Sequence, residues 1–183
     1  MKHLIKKMVP VTAVILLTAC GDDTATKGEM VEHDGHDDMK TEQAPASSSP
    51  VLKDEKLNAV YQHYVHLTTA LTNSDMGEAK IAANAIEAGA KEVSGAEAIA
   101  ASASKITAAA DLELQRKHYE DLSNAMISLL KKDGLSNGEV YVQYCPMAFN
   151  DKGASWISSS KEIRNPYFGE KMMNCGEVKE TIN

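Results

Sequence analysis

The sequence predicts a mainly α protein, an antiparallel bundle of about four helices followed by a short C-terminal β-hairpin and an irregular segment rich in Cys and Met. Three observations predict this fold class. Apolar residues recur at helical intervals between residues 54 and 132. Short clusters of Asn, Ser, Asp and Gly divide that stretch into four parts. Aromatic and β-branched residues then concentrate after Gly138.

The first two helices are predicted over residues 54–73 and 76–93. In the first helix, the apolar stripe consists of Leu57, Val60, Tyr61, Tyr64, Leu67 and Leu71. Asp75 followed by Glu78 has the pattern of a helix N-terminus. The second helix is rich in alanine, and its small side chains favour a close approach to neighbouring helices.

The third and fourth helices are predicted over residues 96–109 and 111–132. The third is rich in alanine and follows a Ser-Gly break. Asp111 is placed to cap the fourth helix, and Gly134 is suited to end it. Because all four helices are joined by short connections, an antiparallel bundle is expected.

Residues 1–19 have the pattern of a bacterial lipoprotein signal peptide. Three lysines precede an apolar run, residues 11–17, that is too short to span a bilayer. The run ends in Leu-Thr-Ala directly before Cys20, which matches a lipobox. We therefore expect cleavage before Cys20 and stable membrane attachment through acyl chains on that residue. Gly21 favours the outer membrane, with the protein on its periplasmic or surface face. An ordinary signal peptide with a coincidental cysteine is the alternative.

Residues 20–50 are expected to form a disordered tether, because they contain almost nothing to bury. Within this tether His33 and His36 lie among carboxylates, with Met30 and Met39 on either side. Such a tract fits weak binding of Cu(II), Zn(II) or Ni(II). It fits equally well a solvated acidic linker in which the two histidines have no role.

Composition and motifs exclude two classes of function. The formal net charge is −7, and no basic surface is indicated, so nucleic acid is not an expected partner. The sequence contains no nucleophile elbow, no Gly-rich phosphate loop and no haem-attachment motif. We therefore expect that the protein is not an enzyme.

The chemistry of the sequence is concentrated in the last quarter of a domain predicted to comprise residues 51–183. A strand is predicted over residues 140–144, a turn over 150–153 and a second strand over 154–157. The tryptophan, both phenylalanines and the two cysteines outside the leader all follow Gly138. A segment this aromatic is expected to wrap the end of the bundle and build a site.

Four sulfur donors of this segment form a candidate metal site. They are Cys145, Met147, Met172 and Cys175. Two thiolates and two thioethers are a soft ligand set, which selects Cu(I), or by analogy Ag(I), over Zn(II). Met173 is a further candidate ligand, and so is His118 on the flank of the fourth helix.

The same two cysteines also fit a disulfide. Export implies an oxidising compartment, and in the chain-entropy model a bridge between Cys145 and Cys175 contributes roughly 3–4 kcal/mol. The methionines would then belong to the core, and the protein would be a structural or interaction module of the envelope. Two free buried thiols are the third alternative.

The C-terminal motifs resemble a family of lipoproteins of unknown function from some Gram-negative bacteria. The resemblance rests on Tyr144-Cys145-Pro146-Met147, on residues 163–169, and on Met172 with residues 175–178, and it extends over roughly residues 53–180. In that family the domain also occurs at the C-terminal end of periplasmic adaptor subunits of heavy-metal efflux pumps. The resemblance therefore implies copper or silver handling and an efflux adaptor as partner.

Small metal-binding domains of such adaptors share the Cys-Pro-Met element, but there a histidine usually follows the methionine. Ala148 occupies that position here, so the resemblance implies a different ligand set. Because of this family resemblance, we favour a Cu(I) buffer or chaperone over the disulfide-linked module.

Overall fold

The computed structural model describes residues 49–183, and within them the predicted bundle is confirmed. Its four long helices are α1 (Glu55–Thr72), α2 (Met76–Ala90), α3 (Glu97–Ala108) and α4 (Leu112–Asp133). Each helix packs against the next one along the chain. The predicted signal peptide, the Cys20 anchor and the tether site at His33 and His36 lie outside the described residues.

Local capping explains where three of the helices begin. The carboxylates of Asp54, Asp75 and Asp111 each accept a hydrogen bond from the backbone N–H three residues later, at 2.7–2.9 Å. Such a cap contributes about 1 kcal/mol. The helix start predicted at Asp75 and the cap predicted at Asp111 are therefore confirmed. Gly134, at φ 76°, ends α4 as expected.

The buried core lies between the helices and beneath a small sheet. The side chains of α1 and α4 meet in antiparallel order, because Tyr64 contacts Ser123 while Thr68 contacts Tyr119. Small residues of α2 fill the narrow spaces, namely Ala79, Ala82, Ala83 and Ala90. This arrangement fits the close helix approach that the alanine-rich sequence predicts.

Five strands complete the described structure. They are β1 (Val51–Leu52), β2 (Leu135–Asn137), β3 (Val140–Cys145), β4 (Ala154–Ser158) and β5 (Glu177–Ile182). β1 pairs with β2, and β3 lies at the centre of an antiparallel sheet in the order β4-β3-β5. The predicted hairpin is therefore confirmed as β3 and β4, whereas β1, β2 and β5 were not predicted.

The three-stranded sheet is fastened to the bundle at Ile157. Its backbone N–H donates to the Tyr64 hydroxyl of α1 at 2.9 Å. Two short turns flank the sheet, a left-handed turn at Ala148–Asp151 and the 3₁₀ turn Gly169–Met172. Among residues 49–183, no helix is both long enough and apolar enough to cross a membrane.

Candidate thiol and thioether site

The two cysteines of the described chain lie next to each other. Cys145 is the last residue of β3 and is fully buried, whereas Cys175 precedes β5 and is partly buried. Antiparallel pairing of Tyr144 with Glu177 brings the two chain segments together. Both cysteines are free thiols, and the Cys175 thiol lies within hydrogen-bonding range of the Cys145 thiol.

This position suppresses ionisation of Cys175. Loss of solvent first, and the neighbouring Cys145 thiol second, together raise the pKa of Cys175 to about 11. The backbone N–H of Met147 donates to the Cys175 sulfur and opposes the shift, because it stabilises the thiolate. At neutral pH the Cys175 thiol is therefore protonated. The backbone N–H of Met147 is the group that favours its thiolate form.

The segment after Cys145 folds into an unusual left-handed turn. Phe149, Asn150 and Asp151 all have φ between 52° and 64°, a region that is uncommon for non-glycine residues and an outlier for bulky ones. Gly153 follows at φ 78°, and a Cβ there would lie 1.9 Å from the Tyr144 hydroxyl. Such strain is typical of ligand-binding and switch regions.

Asn165 holds the Cys175 segment in place. Its side-chain amide, fully buried, donates to the Cys175 carbonyl at 2.8 Å. Its carbonyl oxygen accepts from the backbone N–H groups of Tyr167 and Phe168, and its own N–H donates to the Met173 carbonyl at 2.8 Å. One side chain thus orders both arms of the turn that carries Met172 and Cys175.

Arg116 of α4 joins this tail to the bundle. Its Nε donates to the Pro166 carbonyl at 2.8 Å, and its Nη2 donates to the Leu71 carbonyl at 2.9 Å and to Ser74. Partial burial lowers the pKa of Arg116. Gly169 passes so close that a Cβ there would lie 2.8 Å from Nη2 of Arg116. The Arg116 guanidinium therefore ties the segment around Pro166 and Gly169 to the C-terminal end of α1.

A cavity of about 710 Å³ opens between α4 and the tail. The side chains of Met147 and Met172 both belong to its wall, and Met147 is 49% exposed. Tyr167 closes the inner side and packs its ring against Tyr119, Phe149 and Trp156 at centroid distances of 5.4–6.0 Å. The volume falls in the range of small-molecule sites.

The four principal candidate ligands therefore lie in one region. Cys145 and Cys175 are in contact, and Met147 reaches Cys175 through its backbone N–H. The Met172 carbonyl accepts a hydrogen bond from the Cys175 N–H at 3.1 Å. Among residues 49–183 no group of three or more His, Cys, Asp or Glu side chains is arranged to hold a metal ion.

The two secondary candidates lie apart from the cavity wall. Met173 is partly buried, and its contact with the turn is through its carbonyl. His118 is partly buried on α4, on a different face from Glu113, Arg116 and Glu120, which do line the cavity. Asn165 and the Arg116 contacts were not predicted as parts of the site, because they join segments that are 10 and 50 residues apart.

The fold and site thus define a helical domain with a C-terminal thiol pair, and one comparison with known proteins found a match to part of it. Residues 60–138 match the family described as Protein of unknown function (DUF3347). The match covers the bundle from α1 to β2 and ends before Cys145. No curated protein and no solved structure matched the chain.

Proposed function

We propose that this protein binds a soft metal ion, Cu(I) or Ag(I), as a buffer or chaperone for metal efflux. The observation that carries the proposal is that the pairing of β3 with β5 brings Cys145 and Cys175 to neighbouring places in the fold. Two segments 30 residues apart in sequence deliver these two sulfur atoms to one place. Paired thiolates are strong ligands for soft ions.

The neighbouring methionines complete the suggested ligand set. Met147 and Met172 each adjoin Cys175 through the backbone, and their side chains line the same cavity. Thioethers are neutral soft donors, so with two thiolates a bound Cu(I) site carries a net charge of −1. Exposure of Met147 leaves one side of the site open, which suits a protein that passes its metal on.

The cellular setting is part of the same proposal. Lipidation at Cys20 would place the domain in the cell envelope, at the outer membrane. A tether of residues 20–50 would let it reach a heavy-metal efflux adaptor. No catalytic role is proposed, and the weak tether site at His33 and His36 would serve only to gather metal near the domain.

A Cu(I) competition titration tests the proposal. The full-length protein carries Cys20→Ser, so that Cys145 and Cys175 are its only cysteines, and a chromophoric Cu(I) chelator reports the free ion. We expect one Cu(I) per chain, lost in Cys145→Ser and in Cys175→Ser. Met147→Leu and Met172→Leu should weaken the affinity, whereas Met76→Leu, an exposed methionine on α2, should not change it.

The second candidate is a disulfide between Cys145 and Cys175, and the same proximity favours it. Thiol counting on protein purified without reductant separates the two functions. Quantitative loss of both thiols, with no Cu(I) uptake after mild reduction, would make the protein a disulfide-linked structural module. Free thiols that take up one Cu(I) support the metal function.

A further inference from the structure

The cavity between α4 and the C-terminal tail has a wall chemistry that metal ligation alone does not account for. Besides the two thioethers it presents the aromatic rings of Phe149, Tyr167 and Phe168. Its volume of about 710 Å³ is far more than a single ion requires. A ligand of molecular size therefore fits the cavity, whose lining includes Met147 and Met172 but neither cysteine.

Charges of both signs surround the opening. The basic members are Arg116, Lys117, Lys152 and Lys171, and the acidic members are Glu113, Glu120 and Asp151. In the described chain, none of the three lysines forms an ion pair. Burial raises the pKa of Glu120, and nearby Lys152 acts against that shift. Such a rim can hold carboxylates and an ammonium group at once.

We propose that this cavity binds a small peptide thiol of net negative charge, and that such a molecule carries the soft metal to Cys145 and Cys175. The carboxylates of the ligand would pair with Lys152 and Lys171, and its ammonium group with the acidic side chains. Its sulfur would contact Met147 and Met172. This inference rests on the proposed function for the metal, but the cavity's ligand can be tested without any metal.

The transfer itself is a ligand exchange without a change of oxidation state. The Cu(I)–sulfur bond to the carrier breaks as a bond forms to the Cys175 sulfur. The proton of the Cys175 thiol passes to the departing carrier thiolate. In a second exchange a bond forms from the ion to the Cys145 sulfur as its bond to a second carrier thiolate breaks, and the Cys145 proton passes to that thiolate.

Methyl NMR on the metal-free, full-length Cys20→Ser protein tests the ligand class. S-methylglutathione is the probe, since it has the charges and the sulfur but cannot exchange with cysteines. We expect saturable shifts of the Met147 and Met172 methyl signals, which are assigned through the Met147→Leu and Met172→Leu variants. Triglycine, which lacks the second carboxylate and the sulfur, should bind more weakly.

The lysines supply the matched comparison. Lys152→Gln with Lys171→Gln should raise the dissociation constant about fivefold or more. Lys105→Gln with Lys132→Gln, at exposed positions away from the cavity, should leave it unchanged. Absence of saturable shifts, equal binding of triglycine, or indifference to the Lys152 and Lys171 changes would each overturn the assignment. The Cu(I) titration is read separately, so a failure there rejects the metal function without deciding what the cavity binds.

Discussion

The side-chain amide of Asn165 donates a hydrogen bond of 2.8 Å to the backbone carbonyl of Cys175. The same amide accepts from the N–H groups of Tyr167 and Phe168, so its hydrogen bonds link the Cys175 segment to the aromatic anchor of the tail. The geometry of the thiol site is therefore set by a residue that has no metal-binding chemistry of its own.

Replacing Asn165 by alanine should destabilise the tail selectively. The change leaves one carbonyl and two N–H groups without their partner in a buried place, which costs about 2–4 kcal/mol in unfolding free energy. Urea denaturation measures that loss. Alkylation of Cys175 at pH 8 should become faster, because the segment that covers it is released. Asn174→Ala, at an exposed neighbouring position, is the control, and an equal loss in both variants would contradict the role of Asn165.

Gly153 should tolerate no side chain while Tyr144 is present. Gly153→Ala places a methyl group 1.9 Å from the Tyr144 hydroxyl and adds left-handed strain at φ 78°. The left-handed strain alone lowers the free energy of unfolding by about 1–2 kcal/mol. Any loss beyond that amount comes from the clash with Tyr144. In a double-mutant cycle with Tyr144→Ala, only the strain should remain. If the two changes are additive, the contact does not determine this turn.

The helices could be predicted from sequence because their signals are local. Asp75 and Asp111 cap helices through the N–H groups three residues away. The apolar residues of the α1 stripe recur about once in each helical turn. The strands β3 and β4 could be predicted for the same reason, because the turn that joins them contains Gly153. Each of these features is determined by residues that lie close together in the sequence.

The site could be predicted only in part, because it depends on pairing between distant segments. β5 has almost entirely exposed side chains, so no hydrophobic alternation marked Glu177–Ile182 as a strand. Without that strand, nothing in the sequence places Cys175 against Cys145. The left-handed conformation of Phe149 opposes the ordinary preference of a bulky residue. The cavity also uses the charged face of α4, which in sequence looks like a solvated surface.

Alkylation of Cys175 should show an alkaline pH profile. Its pKa of about 11 predicts that the rate with iodoacetamide still rises between pH 9 and pH 10, when an ordinary exposed thiol has levelled off. In Cys145→Ala the inflection should move to lower pH, because the Cys145 thiol is one cause of the shift. The experiment uses the Cys20→Ser background. An inflection near pH 8.5 in the unmodified pair would contradict this environment.

The raised pKa of Cys175 also predicts how the free energy of unfolding changes with pH. The folded state holds the Cys175 proton more tightly than the unfolded state, whose thiol has a pKa near 9.0. The stabilisation is therefore fully present below pH 9 and is lost as the pH rises towards 11. Urea denaturation of Cys20→Ser and of Cys20→Ser with Cys175→Ala should converge over that interval, and a constant difference would exclude the linkage.

Two tyrosines one helical turn apart on α1 should respond in opposite ways to loss of their hydroxyl groups. The Tyr64 hydroxyl accepts from Ile157 N–H and from the Tyr119 hydroxyl, both at 2.9 Å, and contacts Ser123. Tyr64→Phe leaves these buried groups unpaired and should cost about 2–3 kcal/mol. The buried Tyr61 hydroxyl has no partner within residues 49–183, so Tyr61→Phe should be neutral or stabilising by up to about 1 kcal/mol. Thermal and urea unfolding measure both changes. Equal costs would mean that the hydrogen bonds of Tyr64 do not hold the sheet on the bundle, and that packing of the rings alone does so.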